Sequence, residues 1–337
     1  MLNLKQRIHI LNLLQKYMTS EDPFWLQTKT LAAESNPWFI PEFIDKAIEC
    51  IACRFLEPPA LHTWISGYNI PEQTSHPAQV GITMAGNIPL AGFHDFLCCF
   101  VWGHKQTIRL SSKDNVLLKH LAEKMISWDD LVAEYINFAD MLKGCDAYIA
   151  TGSNNTARYF EYYFRKYPHI IRKNRTSVAI LNGKEDRKDL EKLADDVYLY
   201  FGLGCRNVTK IFVPAGYDFL PMLEAFNKYS RLIENHKYKH NYDFNLTVQL
   251  LNQQFYMTNG SVILSENPSV FSPISQLHYE FYTNPEDIYK GLNPEEIQCI
   301  SGSGKTALGT AQCPGLTDYP DGIDTMLFLQ QLTGKYG

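Results

Sequence analysis

The chain has 337 residues, of which 45% are hydrophobic, 13% aromatic and 20% charged, the balance of a folded protein of roughly two domains, which excludes a disordered or fibrous chain. With 31 Lys and Arg against 36 Asp and Glu the net charge is −5, so no global basic field awaits a polyphosphate backbone and nucleic acid is not expected as a ligand. The longest plainly apolar run, Phe96 to Trp102, is far too short to cross a bilayer, and integral membrane association is not expected.

The N-terminus, MLNLKQRIHILNLLQ, interleaves Lys5, Gln6, Arg7 and His9 with its leucines. It lacks the unbroken apolar centre and the small-residue cleavage site of a signal peptide, and a cytoplasmic protein is predicted. Residues 3–18 and 41–56 read as amphipathic helices, the second entered through Asn36, Pro37 and Pro41. From position 79 short apolar strands (79–85, 105–110, 147–151, 177–181, 210–214) alternate with helical stretches near 90–102, 115–125, 155–166 and 188–203. Such alternation predicts an α/β fold, a parallel sheet with helices on both faces. Residues 232–245 read as an exposed connection or polar helix, 261–264 and 277–282 as strands, and the Gly-rich stretch 301–309 as a flexible loop.

Eight cysteines stand at 50, 53, 98, 99, 145, 205, 299 and 313. They are too dilute for a disulfide framework and are expected to be reduced, most of them small core residues. Cys50 and Cys53 form a CxxC within a helical apolar pattern, without a second pair to complete a metal site, and no metal is predicted.

Three strand–turn–helix units carry the chemistry. In the first, a strand runs into Gly86-Asn87-Ile88-Pro89, a helix follows, and a second strand ends in Arg109-Leu110-Ser111-Ser112. Ligands of open α/β sheets gather at the carboxyl ends of the strands, where Asn87 can donate to a developing oxyanion and Arg109 can bind a ribose or its 2′-phosphate. From these residues alone a turn Asn beside a surface Arg is the commoner reading. In the second unit a strand leads through Thr151-Gly152-Ser153 into a helix opened by Asn154, Asn155 and Thr156; its N–H groups can hold pyrophosphate, or Ser153 can simply cap it. In the third, a helix reaching Gly202-x-Gly204 is followed directly by Cys205 and a strand. A cysteine thiolate attacks a thioester carbonyl and departs easily, although as a bare pattern a buried structural cysteine is the commoner reading of Cys205. The negative end of the helix dipole opposes the thiolate, with Arg206, Lys210 or a bound cofactor as compensation. Residues 299–306, CISGSGKT, put Cys299 where a phosphate loop needs Gly. His76, His94 and His104 lie near the first unit, and nothing in the spacing selects one as a proton relay.

In order and spacing these units resemble the aldehyde dehydrogenase superfamily and, within it, the bacterial luminescence-type long-chain acyl-CoA reductases (fatty acyl reductases), over residues 75–330. Asn87 matches the superfamily's Asn-x-Pro turn, half of its oxyanion hole. Arg109 stands at the adenosine-ribose lysine, Ser111 near the corresponding serine, and Thr151-Gly152-Ser153 at the TGS motif that touches the pyrophosphate, with Thr156 beside it. Cys205 is similar in spacing to the catalytic cysteine. Where hydrolytic members carry the Glu that activates water, this chain has Ile180, and the nicotinamide-ribose Glu-x-Phe is half kept as Ser269-Val270-Phe271.

The resemblance implies an aldehyde-dehydrogenase-like α/β fold: a helical lead-in and Rossmann-type dinucleotide-binding domain over 1–185, an α/β catalytic domain over 186–315, and a C-terminal segment, 316–337, returning to the first. It implies NADPH-dependent reduction of a fatty acyl-CoA or acyl-protein thioester to the aldehyde. Cys205 and Asn87 are then catalytic, and Arg109, Ser111, Thr151, Gly152, Ser153, Thr156 and Phe271 bind the cofactor. The same residues serve a CoA-acylating aldehyde dehydrogenase running oxidatively, and a non-redox acyl-transfer or acyl-binding protein is the alternative of another class. The chain is shorter than usual members, so oligomerisation elements are expected to be reduced; a homo-oligomer is left open.

Overall fold

The computed structural model describes residues 1–333; residues 334–337 of the expected C-terminal segment lie outside them. The chain divides into two compact units, Met1–Asn174 with the segment from Cys313 onward, and Arg175–Gln312. The first boundary precedes the expected 185 because the strand at 176–180 pairs into the second unit's sheet.

The first unit opens with α1 (Leu4–Met18), α2 (Pro23–Ser35), α3 (Pro41–Cys50) and α4 (Pro58–Ser66). Asn3 and Gln6 form a reciprocal capping box on α1, and Asp22 caps α2 just ahead of Pro23, so two helix starts are written locally. The helix predicted over 41–56 gives way at 51 to a π-type turn, Ile51–Phe55. Then follow β1 (Gln79–Thr83), α5 (Phe93–Trp102), β2 (Lys105–Arg109), α6 (Leu117–Trp128), β3 (Ile136–Phe138), β4 (Ala147–Thr151), α7 (Asn154–Phe164) and β5 (His169–Arg172). The sheet is parallel throughout in the order β3-β2-β1-β4-β5. Every residue of α5 is buried, so the apolar run at 96–102 is the core of this unit, as a helix apolar on all sides requires.

The second unit contains β6 (Thr176–Ile180), α8 (Arg187–Tyr198), β7 (Val208–Pro214), α9 (Leu220–Phe226), α10 (His236–Leu251), β8 (Met257–Thr258), β9 (Ile263–Glu266), β10 (Gln276–Tyr282), α11 (Pro285–Gly291) and β11 (Ile297–Gly302). Its sheet order is β11-β6-β7-β10-β9-β8, parallel except for β8 against β9. The first two residues of the stretch expected to be a flexible Gly-rich loop, Ser301 and Gly302, thus belong to a paired strand. The chain then re-enters the first unit and ends the described residues in α12 (Thr325–Thr333).

The expectation of reduced cysteines is corrected at this re-entry: Cys50 at the end of α3 is disulfide-bonded to Cys313. Cys98, Cys99 and Cys145 are buried core thiols as expected, whereas Cys53 is exposed. Among the described residues no helix is long and apolar enough to cross a membrane.

Candidate active site

In the first unit the expected residues collect at one edge of one sheet. Thr83, at the end of β1, registers against Arg109 at the end of β2, and Ala150, one residue before the end of β4, registers against Thr83. The turn with Asn87, the Arg109–Ser112 segment and Thr151-Gly152-Ser153 therefore all leave the carboxyl edge of three adjacent parallel strands, where open α/β sheets bind ligands. Asn87 and Arg109 are exposed there.

Local packing explains each turn. A Cβ on Gly86 would lie 2.6 Å from both Cβ and Oγ of Ser111, so the Asn87 turn can approach the Ser111 hairpin only without a side chain at 86. The Ser111 hydroxyl itself accepts the Lys113 N–H at 3.2 Å. Ser153 is the N-cap of α7, its Oγ accepting from the Thr156 N–H at 3.3 Å and lying 3.0 Å from the Thr156 hydroxyl. The capping alternative is thus realised. It leaves the first turn of α7 exposed from 153 to 156 and without an acidic residue, at the positive end of a helix.

The second unit presents Cys205 as an exposed thiol. The helix before it ends at Tyr198, earlier than predicted. A short 3-10 turn, Leu199–Gly202, intervenes, with Tyr200, Phe201 and Gly202 all at positive φ (56°, 56° and 74°). Two buried aromatics hold the left-handed conformation between Leu199 and Gly204, both of which Asn207 binds. Asn207 is fully buried; its Nδ2 donates to the carbonyls of Asp196, Val197 and Leu199 at 3.1, 3.2 and 2.8 Å, while its Oδ1 accepts the Gly204 N–H at 2.8 Å. One side chain thus satisfies the terminal carbonyls of α8 and clamps the loop that leads to Cys205, which weakens the objection that a bare helix dipole faces the thiol.

A second clamp comes from Ser177 on β6, fully buried, whose hydroxyl donates to the Cys205 carbonyl at 3.1 Å and accepts the Cys299 N–H at 3.1 Å. Burial pushes the Cys299 thiol above its usual range, against the opposing pull of Ser177 and Arg206. Lys210, offered by the sequence as a compensating charge, is committed elsewhere: its Nζ donates to Glu280 at 2.6 Å and to the Pro268 carbonyl at 2.8 Å. It thereby holds the segment that leads into Ser269-Val270-Phe271. Ile180 is fully buried at the end of β6, so its side chain provides no acid or base.

Phe271 lines a cleft of about 690 Å³ together with Glu266, Asn267, Ser269 and His278, closed on another side by Phe244 and Asn245 of α10. His278 Nδ1 lies 2.9 Å from the Ser269 carbonyl, and burial lowers the imidazole's pKa, favouring its neutral form. The segment predicted as an exposed connection or polar helix is thus a polar helix that forms a wall. Sequence reasoning missed Asn207, Ser177 and α10. A lone Asn or Ser carries no pattern, and the polarity of α10 reports the exposure of its first turns, not the cleft lined by its C-terminal half.

No known family profile matches the sequence, and no curated protein matches it. Solved structures do. A putative aldehyde dehydrogenase from Burkholderia cenocepacia superposes with a TM-score of 0.68 at 12% identity, covering 89% of this chain and 74% of that one. An E. coli NADP-dependent enzyme gives 0.66 at 13% identity over 89% and 73%. The NAD+ complex of a Bacillus cereus aldehyde dehydrogenase gives 0.63 at 12% over 89% and 72%. Likeness at this identity establishes architecture, and the chain has the aldehyde dehydrogenase fold: a Rossmann-like α/β unit and a second α/β unit with its own sheet.

Proposed function

We propose that the chain is a nicotinamide-dependent reductase that converts an acyl thioester, carried by CoA or by a protein, into the aldehyde through an acyl-enzyme on Cys205. The observation that carries this reading is the combination of an exposed thiol at Cys205, on a backbone held at the Gly204 N–H and the Cys205 carbonyl, with an aliphatic residue, Ile180, where the resemblance places the water-activating carboxylate of hydrolytic relatives.

The Cys205 thiolate attacks the acyl carbon, the bond from that carbon to the donor's sulfur breaks, and the donor leaves as a thiolate that takes a proton from solvent. Negative charge on the acyl oxygen is met by the Cys205 N–H, with Asn87 Nδ2 as the second donor that the resemblance implies. With no carboxylate at 180 to activate water, the acyl-enzyme is spared hydrolysis. The residues at the first sheet's edge suit a dinucleotide: Arg109 an exposed cation for the 2′-phosphate of an NADP-type cofactor, with Ser111, and Thr151, Gly152, Ser153 and Thr156 around an acid-free helix start for the pyrophosphate. Phe271 and Glu266, in one cleft, offer a ring face and a carboxylate to the nicotinamide ribose. When bound in reduced form, this cofactor supplies hydride to the acyl carbon. Cleavage of the bond to Cys205 then frees the aldehyde and restores the thiolate.

The test follows NADPH oxidation with acyl-CoAs of graded chain length in the wild type and in Cys205→Ala. The expected result is turnover by the wild type, an acyl adduct on Cys205 by intact mass, and a loss of at least about a thousandfold in the variant. Wild-type rates in Cys205→Ala would overturn the proposal. Acyl adducts without any nicotinamide binding would leave an acyl-transfer protein in its place.

A further inference from the structure

The turn bearing Asn87 takes a left-handed backbone at a residue ill suited to it. Leu90 is buried and adopts φ +57°, a left-handed conformation that a leucine keeps only where neighbours impose it. The group imposing it is Asp114, whose Oδ2 accepts the Leu90 N–H at 2.7 Å. Asp114 is itself buried, its other oxygen, Oδ1, meets no hydrogen-bond donor, and its own N–H donates to the Ser111 carbonyl at 3.0 Å. One hairpin, 111–114, therefore grips the Asn87 turn twice: Ser111 by direct contact with Gly86, and Asp114 by the hydrogen bond to Leu90. Asn87 lies between the two grips and is exposed.

A buried carboxyl with one oxygen unmatched is an arrangement that folding alone does not favour, since an apolar side chain of the same volume avoids the desolvation. We propose that Asp114 is the positioning residue for Asn87: its carboxyl fixes the backbone on the far side of the turn, so that the Asn87 amide meets the substrate in one orientation, while Asp114 itself touches no substrate. The inference rests on the reading of Asn87 as an oxyanion donor in the reaction proposed above. Burial pushes the carboxyl up to about 7, the Leu90 N–H opposing, so the neutral acid is well populated near neutral pH and an amide is a close substitute.

The full chain is compared with Asp114→Asn and Asp114→Ala, each also in an Asn87→Ala background, with a long-chain acyl-CoA and NADPH. Acylation of Cys205 is timed by intact mass and turnover by NADPH oxidation. Asp114→Asn retains an acceptor for Leu90 and should stay within about threefold of wild type, while Asp114→Ala should lower acylation rate and kcat on the order of 10- to 100-fold, with KM for NADPH within about twofold. In the Asn87→Ala background the Asp114→Ala change should add almost nothing, because the group it positions is gone. If the alanine variant does not fold, Asp114→Leu fills the volume without an acceptor and takes its place. Equal acylation rates in wild type and Asp114→Ala, or a full additional loss in the Asn87→Ala background, would overturn the inference alone. A wild-type protein that never acylates Cys205 would overturn the underlying reading and the inference with it.

Discussion

His104 illustrates how a residue with catalytic potential is consumed by structure. It is fully buried; its Nδ1 accepts the Ala78 N–H at 3.1 Å, which leaves the ring proton on Nε2, donated to the Leu329 carbonyl at 3.1 Å. His94 likewise places Nε2 3.1 Å from the Leu316 carbonyl. Two of the three histidines near the first strand–turn–helix unit are therefore anchors for the returning C-terminal segment. Burial lowers the His104 pKa to about 4, the Leu329 carbonyl opposing, Arg7 assisting and Asp146 opposing. The unfolded chain takes up a proton near the ordinary histidine value of about 6.5 and the folded chain only near 4, so the stabilising contribution is complete above about 6.5 and is lost as pH falls through this window, by up to about 1.4 kcal/mol per pH unit. Trp25, Trp38, Trp64, Trp102 and Trp128 all lie in the first unit, so their fluorescence in urea reads it selectively. Stability of the wild type should fall more steeply from pH 6.5 to 4 than that of His104→Gln; parallel slopes would refute the assignment.

At the scale of elements, the Asn87 turn shows what sequence pattern conveys and what it omits. Strand, turn and helix around Gly86 were legible because a five-residue apolar strand, a Gly-Asn-x-Pro turn and an apolar helix each carry a local signal. The requirement for glycine at 86 comes instead from Ser111, on a neighbouring strand's end, and no local pattern reports it. Gly86→Ala would press a methyl onto Ser111 and should destabilise the first unit by about 1–3 kcal/mol, while Ser111→Gly in the same chain should restore most of the loss. Failure of the second change to rescue would show that the turn does not depend on that contact. The same limit explains the other differences. The helix before Cys205 ends early because Asn207 gathers its carbonyls, and β11 is a strand because β6 lies beside it. Partners distant in sequence decide both outcomes, whereas the cysteine, the TGS turn and the alternating β and α elements are local and could be read directly.

For the whole molecule the decisive feature is the return of the chain. The segment from Cys313 docks on the first unit through His94, His104 and a buried ion pair, in which Arg172 Nη2 donates to Asp95 at 2.7 Å and to the Thr325 hydroxyl at 2.9 Å, while Nη1 donates to the Pro320 carbonyl at 2.6 Å. The Cys50–Cys313 disulfide closes a loop of 263 residues at the point of re-entry, so in the denatured chain it removes much of the freedom that docking would otherwise have to overcome. By loop-closure entropy it should stabilise the first unit by about 3–5 kcal/mol. Reduction under native conditions should therefore shift the tryptophan-detected thermal transition downward on the order of 10 °C. Cys50→Ser should melt with the reduced wild type and ignore reductant altogether, because the packing around Arg172 is the same in both. A transition that stays in place on reduction would mean that the buried ion pair and the histidine anchors alone hold the returning segment, and that the crosslink contributes nothing to the fold.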